Sequence, residues 1–192
     1  MFKYYVDVTI NFENINIVHK NTIIDYLFNT FHGIFRSKSY QVGLSFPKFS
    51  TSKNDRNPTL GRVFRLVANN FEDLQEIVSR NSIDNLVVKK VLTVGELKKV
   101  PEEFVSYYVF KRHNPRKTLN EKNETTKKYV DGSIDDCVPV YLDKEDKKIK
   151  IYIKRVRVGE QSIDSEGFTT YGLGNHNGPS VPVFWEADAD YD

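Results

Sequence analysis

Cysteine is almost absent from this sequence of 192 residues, and long apolar runs are missing altogether. The single cysteine, Cys137, excludes an internal disulfide and a zinc site built from several cysteines. No run of about 18 apolar residues occurs, so we expect no membrane-spanning segment. The N-terminus also lacks the basic-then-apolar order of a secretory signal. We therefore expect a soluble, cytoplasmic protein without disulfides or a membrane partner.

The motifs of several common enzyme classes are missing as well. There is no His-x-x-x-His or Cys-x-x-Cys pair, so a metal site has little support and no cofactor is predicted. Gly172-Leu-Gly174 is not followed by a helical pattern or by the third glycine of a dinucleotide site. A P-loop lysine and a Gly-x-Ser-x-Gly elbow are also missing. These absences exclude the standard nucleotide-binding and hydrolase sites.

Charge, by contrast, is concentrated in two segments. The whole chain carries a net charge of only +2, but residues 111–128 carry a local net charge of +5. Residues 186–192 carry four acidic side chains and no basic one. A concentrated basic segment can bind phosphates through charge and counterion release. From charge alone, a solvated helix face or loop is equally consistent with this segment.

Apolar periodicity in the first half predicts the element order β-α-β-β-α-β. The predicted strands are residues 2–10, 40–46, 62–67 and 86–94, and the predicted helices are residues 22–36 and 71–80. Gly33 lowers helix propensity by about 1 kcal/mol, so we expect the first helix to fray early. This order is the ferredoxin-like arrangement of a split βαβ repeat. We predict an α+β fold with a ferredoxin-like domain over residues 1–97.

The second half, residues 98–192, predicts a smaller and irregular β-rich domain. A strand-like segment at 105–110 runs directly into the basic segment, and residues 116–130 could form one basic helix. The apolar stripe of that helix is thin, so it could become ordered only on a partner. Residues 138–142 and 149–153 flank a charged turn and predict a hairpin.

His32 is the histidine with a plausible chemical role. It follows Phe28 by four residues and so borders the apolar face of the first predicted helix. A histidine in this place is more often a packing residue or a satisfied polar group. With an ordinary pKa near about 6.5, it could also act as a base if substrate reached it.

Three segments together resemble a known family. Residues 167–173, Gly-Phe-Thr-Thr-Tyr-Gly-Leu, resemble the closing signature of the type I-F CRISPR repeat-processing endoribonucleases, the Csy type. Residues 40–47, Tyr-Gln-Val-Gly-Leu-Ser-Phe-Pro, resemble that family's Ile-Gly-Val-Ser-Phe-Pro strand. Residues 27–32, Leu-Phe-Asn-Thr-Phe-His, resemble its helix ending in a catalytic histidine. The three segments occur in the family's order and at nearly its spacing.

The resemblance implies an activity and a mechanism. It implies an endoribonuclease that cuts CRISPR repeat transcripts at the 3′ base of a stem-loop, without a metal, and retains the hairpin. His32 would remove the proton of a ribose 2′-hydroxyl, leaving a 2′,3′-cyclic phosphate and a 5′-hydroxyl. Tyr171 matches the tyrosine beside the catalytic histidine, although a core aromatic of a strand is an equal alternative. Lys144 stands where the family has a catalytic serine and could stabilise phosphate charge.

The same resemblance implies how the RNA is held and which partners are present. The partners would be a CRISPR repeat RNA hairpin and other subunits of a type I-F surveillance complex, in antiviral defence or in a transposon-associated system. Base edges near the cut would be contacted by Tyr108, Phe110, Lys111 and Arg112. The basic helix would follow the hairpin's major groove with Arg116, Lys117, Lys122, Lys127 and Lys128. Because most of these are lysines, which lack arginine's planar fork, we expect salt-sensitive binding.

Two alternatives stay open. The lysine at position 144 is consistent with a subunit that binds the crRNA hairpin with weak or no cleavage. Without the resemblance, the pattern also suits a ferredoxin-like protein-interaction domain whose acidic tail, residues 186–192, docks a basic partner.

Overall fold

The computed structural model shows an α+β protein. It describes residues 2–15, 20–38, 40–52, 57–103, 105–113, 118–119, 125–126, 136–144, 147–159, 167–174 and 179–184. Within these ranges the helices are α1 (Lys20–Ser37), α2 (Phe71–Val78) and α3 (Asn81–Val88), with a short 3₁₀ helix at Phe12–Asn14. None of these described helices is long and apolar enough to cross a membrane.

The first sheet confirms the ferredoxin-like prediction. Its strands are β1 (Tyr4–Ile10), β2 (Val42–Ser45), β3 (Val63–Ala68) and β4 (Leu92–Val94), and the short β5 (Lys98–Lys99) also pairs with β1. Their order is β2-β3-β1-β4 and every pairing is antiparallel. This order places β3 between β1 and β2, as a split βαβ repeat requires.

Two local predictions in this half were wrong. Leu86 was expected to begin a strand, but residues 86–88 end α3, and the strand begins at Leu92. Ile83, Leu86 and Val87 recur at three- and four-residue steps, so they share one helix face, and Ile83 is buried. Helix α1 also continues through Gly33 to Ser37. Burial of the neighbouring apolar side chains outweighs the intrinsic cost of about 1 kcal/mol for one glycine.

The second sheet contains the predicted hairpin. Its strands are β6 (Ser106–His113), β9 (Cys137–Lys144), β10 (Lys147–Val158) and β11 (Val181–Val183), in the order β11-β6-β10-β9. The hairpin strands β9 and β10 are longer than predicted and pair from Lys144 opposite Lys147 to Cys137 opposite Lys154. Strand β9 therefore forms one edge of this sheet.

The basic helix predicted for residues 116–130 is not found where the structure describes that segment. Thr118–Leu119 and Thr125–Thr126 instead form a small antiparallel pair, β7 and β8. Three of these four residues are threonines, whose branched β-carbon favours strands over helices. The rest of the predicted helix lies outside the described residues.

A single apolar core joins the two halves. The buried face of α1 packs in the same cluster as the inward side chains of β9 and β10, among them Val140, Leu142 and Ile151. The division into domains at residues 97 and 98 stays a prediction. What the common core fixes is the position of helix α1 against both sheets.

Candidate active site

Helix α1 places His32 at the edge of the core. Six apolar residues of this helix are buried: Ile24, Leu27, Phe28, Phe31, Ile34 and Phe35. His32 follows Phe31 and is half-buried, so its ring lies beside the apolar face and within reach of the surface. This is the border position that the spacing predicts.

A tight turn at residues 169–172 places two groups against the ring of this histidine. The N–H of Gly172 donates to the carbonyl oxygen of Thr169 at 2.8 Å, which closes a turn with Thr170 and Tyr171 in its middle. Gly172 has a φ of +68°, and a Cβ there would lie 2.7 Å from a ring carbon of Phe35. Only glycine fits this position without strain. The carbonyl oxygen of Gly172 also accepts the N–H of Leu44 at 2.8 Å, which docks the turn on β2.

The two central residues of the turn fix both the tautomer and the plane of the imidazole. Nδ1 of His32 lies 2.9 Å from the carbonyl oxygen of Thr170. A carbonyl can only accept, so Nδ1 carries the proton and Nε2 keeps its lone pair. The ring of Tyr171 stacks on the imidazole at a centroid distance of 4.0 Å and an interplanar angle of 13°. The same tyrosine ring is nearly parallel to Phe28, at 6.2 Å.

The surroundings of His32 favour its neutral form. Partial burial lowers the pKa of His32 from its ordinary value of 6.5, and the positive charge of Arg36 acts in the same direction. The bond to the carbonyl of Thr170 raises this pKa, but by less than burial lowers it. This environment favours the neutral imidazole, with the lone pair on Nε2.

The hairpin that carries Lys144 lies against the same helix. Asn29 of α1 hydrogen-bonds to the backbone of Tyr141 and Asp143 on the edge strand β9. Lys144 is the next residue of β9 and ends the strand. Its side chain lies outside what the structure describes.

The predicted base-contacting residues of strand β6 differ widely in how exposed their side chains are. Phe110 is 1% exposed and packs edge-on against Phe46 at a centroid distance of 5.0 Å. Its ring belongs to the core, so we withdraw it as an RNA contact. Tyr108 is half-buried, with the guanidinium of Arg155 5.1 Å from its ring centroid. Lys111 is half-buried and Arg112 is exposed, so their cations are the more accessible groups.

The remaining predicted RNA contacts lie outside the described residues. These are Arg116, Lys117, Lys122, Lys127 and Lys128 of the basic segment. The acidic tail, residues 186–192, also lies outside them.

The structure adds a basic face that we missed in the sequence. Lys148, Lys150 and Lys154 lie at even positions of β10, opposite in direction to the buried Ile151 and Ile153, so the lysines share the outer face of the sheet. Nζ of Lys150 lies 5.1 Å from the ring centroid of Tyr152 and 5.8 Å from that of Tyr141. In the sequence, the signal for this face was the spacing of the lysines by two or four residues. The net charge summed over a window does not show that spacing.

Metal ligands are not gathered near His32. Across the described ranges, no three side chains of His, Cys, Asp or Glu lie together in a way that could hold a metal ion.

Comparison with known proteins assigns the family. A family model described as CRISPR-associated protein (Cas_Csy4) matches residues 5–184, which includes α1, the hairpin and the turn at Gly172. No curated protein matches the chain significantly. Since the family match extends over nearly the whole sequence, the chain belongs to the Csy4 family of CRISPR-associated proteins, which process CRISPR repeat RNA.

Proposed function

We propose that this protein is an endoribonuclease that cuts a CRISPR repeat transcript at the 3′ base of its stem-loop and retains the hairpin. The observation that carries the proposal is the bond from Nδ1 of His32 to the carbonyl of Thr170. It leaves Nε2 as a base on a half-buried ring, in a chain whose family processes repeat RNA.

The chemistry needs a base and alignment, and no metal. Nε2 of His32 takes the proton of the ribose 2′-hydroxyl, and the 2′ oxygen attacks the adjacent phosphorus. The bond from phosphorus to the 5′ oxygen breaks, and that oxygen takes up a proton from solvent. The products are a 2′,3′-cyclic phosphate and a 5′-hydroxyl. A lowered pKa suits His32 to the base role because the ring is unprotonated when substrate binds.

The other two predicted catalytic residues have different parts in this proposal. Tyr171 holds the plane of the imidazole by stacking, and its hydroxyl need not react. Lys144 supplies a positive charge to the phosphate in place of the family's serine. A lysine ammonium is a point charge without the planar fork of an arginine. The contribution of Lys144 therefore depends on where the hairpin places it.

RNA is held by accessible cations on the second sheet and the basic segment. On the described surface these are Arg112 and Lys111 of β6 with Lys148 and Lys150 of β10. The lysines and arginines of residues 116–128 would add phosphate contacts. Other subunits of a type I-F complex would bind the product complex.

Analysis of product ends tests the proposal. A repeat hairpin labelled at its 5′ end is incubated with the protein in excess EDTA, and the ends are identified by phosphatase and kinase treatment. We expect cleavage in EDTA with a 2′,3′-cyclic phosphate, and no cleavage of a hairpin with 2′-deoxyribose at the cut site. Full inhibition by EDTA, or cleavage of the deoxy substrate, would contradict the mechanism.

A second candidate function rests on the lysine at position 144. A protein that lacks the family's serine could bind the crRNA hairpin within a larger complex and cleave it weakly or not at all. Tight binding of the unmodified hairpin with an intact strand after long incubation would favour this function.

A further inference from the structure

Two side chains of helix α1 bind the free edge of strand β9. The N–H of Tyr141 donates to Oδ1 of Asp25 at 3.1 Å. The side-chain amide of Asn29 makes two bonds to β9: Nδ2 donates to the carbonyl oxygen of Tyr141 at 2.9 Å, and Oδ1 accepts the N–H of Asp143 at 3.1 Å. Nδ2 also donates to the carbonyl oxygen of Asp25 in its own helix at 2.8 Å. We name Asp25 and Asn29 the edge clamp.

The edge clamp replaces a missing strand. Strand β9 ends the sheet order, and β10 pairs with its other edge, so among the described residues the outward N–H and C=O groups of Tyr141 and Asp143 have no strand partner. A carboxamide offers one donor and one acceptor side by side, as a backbone peptide does. Asn29 therefore pairs with residues i and i+2 of β9 as a neighbouring strand would. Asp25 extends the pairing by one bond from the preceding turn of α1.

These bonds contribute modestly to stability. All three lie at exposed positions, where water could satisfy the same backbone groups. Each such bond contributes only about 0.5–1.5 kcal/mol in net terms. The apolar contacts beneath, from Val140, Leu142 and Ile151, hold the hairpin against the core but are not directional. The three hydrogen bonds are directional, so they fix where the hairpin stands along the helix.

The location of the edge clamp links it to the candidate active site. Asn29 precedes His32 by three residues, which is less than one turn of α1, or about 4.5 Å along its axis. Asp143, its partner on the hairpin, directly precedes Lys144. Within the described residues, the edge clamp thus connects the helix that carries His32 to the strand that carries Lys144.

We infer that Asp25 and Asn29 are positioning residues that hold the β9–β10 hairpin, and with it Lys144, in register against His32. This inference rests on the proposed endonuclease function, since it assigns the clamp a part in the same site. Neither clamp residue contacts substrate. Each acts by holding the hairpin strand.

The first test separates catalysis from binding. Asn29→Asp keeps the acceptor for Asp143 but loses the donor to the carbonyl oxygens of Tyr141 and Asp25. Asp25→Ala removes the remaining bond to β9, the one from the N–H of Tyr141. For both variants we expect single-turnover cleavage at saturating protein to fall by about 10- to 100-fold, as small displacements of reacting groups do. Affinity for a hairpin with 2′-deoxyribose at the cut site should change less than about twofold, because the cations that bind RNA are untouched. The acid limb of the pH–rate profile should stay in place, because the bond from His32 to Thr170 remains.

Two further variants serve as controls. Asp25→Asn keeps an oxygen acceptor for the N–H of Tyr141 and should retain most of the cleavage rate. Thr30→Ala changes the residue next to Asn29. The hydroxyl of Thr30 donates to the carbonyl oxygen of Tyr26 within the same helix, so this variant should cleave normally. Unchanged cleavage in Asn29→Asp would overturn the inference. A parallel fall of rate, affinity and melting temperature would also overturn it, since that pattern indicates general destabilisation.

A second measurement does not depend on activity. Nitroxide labels on cysteines at the exposed positions Arg36 and Lys148, with Cys137 replaced by alanine, report the distance between α1 and the hairpin. We expect one narrow distance distribution in the parent and a shifted or broadened one in Asn29→Asp. If the parent protein cleaves no hairpin, the proposed function fails, and this distance decides the inference alone. An unchanged distribution would overturn it.

Discussion

At the scale of single residues, the site is a histidine whose chemistry is set by a backbone carbonyl and a neighbouring ring. Thr170 fixes the tautomer through its carbonyl oxygen, and Tyr171 fixes the ring plane. The sequence pattern identified His32 and Tyr171 through their resemblance to family motifs. It gave no sign of Thr170, because every residue has a carbonyl and only the turn geometry aims this one.

The lowered pKa of His32 predicts the pH dependence of cleavage. The base must be unprotonated, so the rate rises with pH below the pKa of His32 and levels off above it. Because burial lowers that pKa, the midpoint of the single-turnover profile should lie below 6.5. The profile is measured at protein concentrations well below saturation, where it reports the pKa of the free protein, in buffers of constant ionic strength. A midpoint at or above the ordinary value would contradict this environment for the ring.

Tyr171 separates stacking from hydroxyl chemistry. Tyr171→Phe keeps the ring that stacks at 4.0 Å on His32, so its cleavage rate should stay within about threefold of the parent. Tyr171→Leu removes the flat surface and should slow cleavage by about tenfold or more, while hairpin affinity is retained. Single-turnover rates of both variants give the comparison. If the phenylalanine variant is as slow as the leucine variant, the hydroxyl takes part in the reaction.

At the scale of elements, two features that are hard to read from sequence place the site. The turn at 169–172 and the edge clamp both join segments that are more than 100 residues apart in the chain. Periodicity predicts each helix and strand separately, and it mistook the end of α3 for a strand because the three branched residues 86–88 suit either element. It contains no information about which side chain will bind a remote backbone.

The turn and the helix contain two glycines with opposite requirements. Gly172→Ala places a Cβ 2.7 Å from Phe35 at a φ of +68°, so we expect a loss of about 1–2 kcal/mol and slower cleavage. At Gly33 a Cβ meets nothing within 4 Å, so Gly33→Ala should stabilise α1 by about 0.5–1 kcal/mol. Urea unfolding gives both free energies. Equal effects of the two substitutions would show that the turn does not impose this conformation.

At the scale of the whole molecule, the two sheets share one core, and a buried arginine of the first sheet bonds to the end of the second. Arg65 of β3 is fully buried, and its guanidinium makes two bonds of 2.7 Å to the carboxylate of Asp7. A third bond, 2.9 Å long, reaches the carbonyl oxygen of Phe184 just beyond β11. The same guanidinium lies 3.9 Å from the ring centroid of Phe184. The fold class was predictable because the strand order follows from the order of helices and strands. The bonds made by Arg65 were not, because an arginine within a strand is expected to be exposed.

The ion pair predicts cooperative unfolding. Asp7→Ala leaves the Arg65 cation buried without its carboxylate and should cost about 3–5 kcal/mol, with both halves still unfolding in one transition. Lys38→Ala breaks an exposed pair with Glu76 and should leave the free energy of unfolding nearly unchanged, because water screens that pair. Thermal and urea unfolding, followed by circular dichroism and by fluorescence, provide the test. Two separate transitions in the parent protein would contradict a single shared core.

Chemical rescue of a histidine variant tests the central claim most directly. We expect His32→Ala to cleave the repeat hairpin about 10²- to 10⁴-fold more slowly than the parent under single-turnover conditions, with unchanged affinity for the hairpin. Free imidazole in the buffer should restore part of the rate, because it supplies the missing base. Cleavage by His32→Ala at the parent rate would show that another group takes the proton, and the account of this site would be wrong.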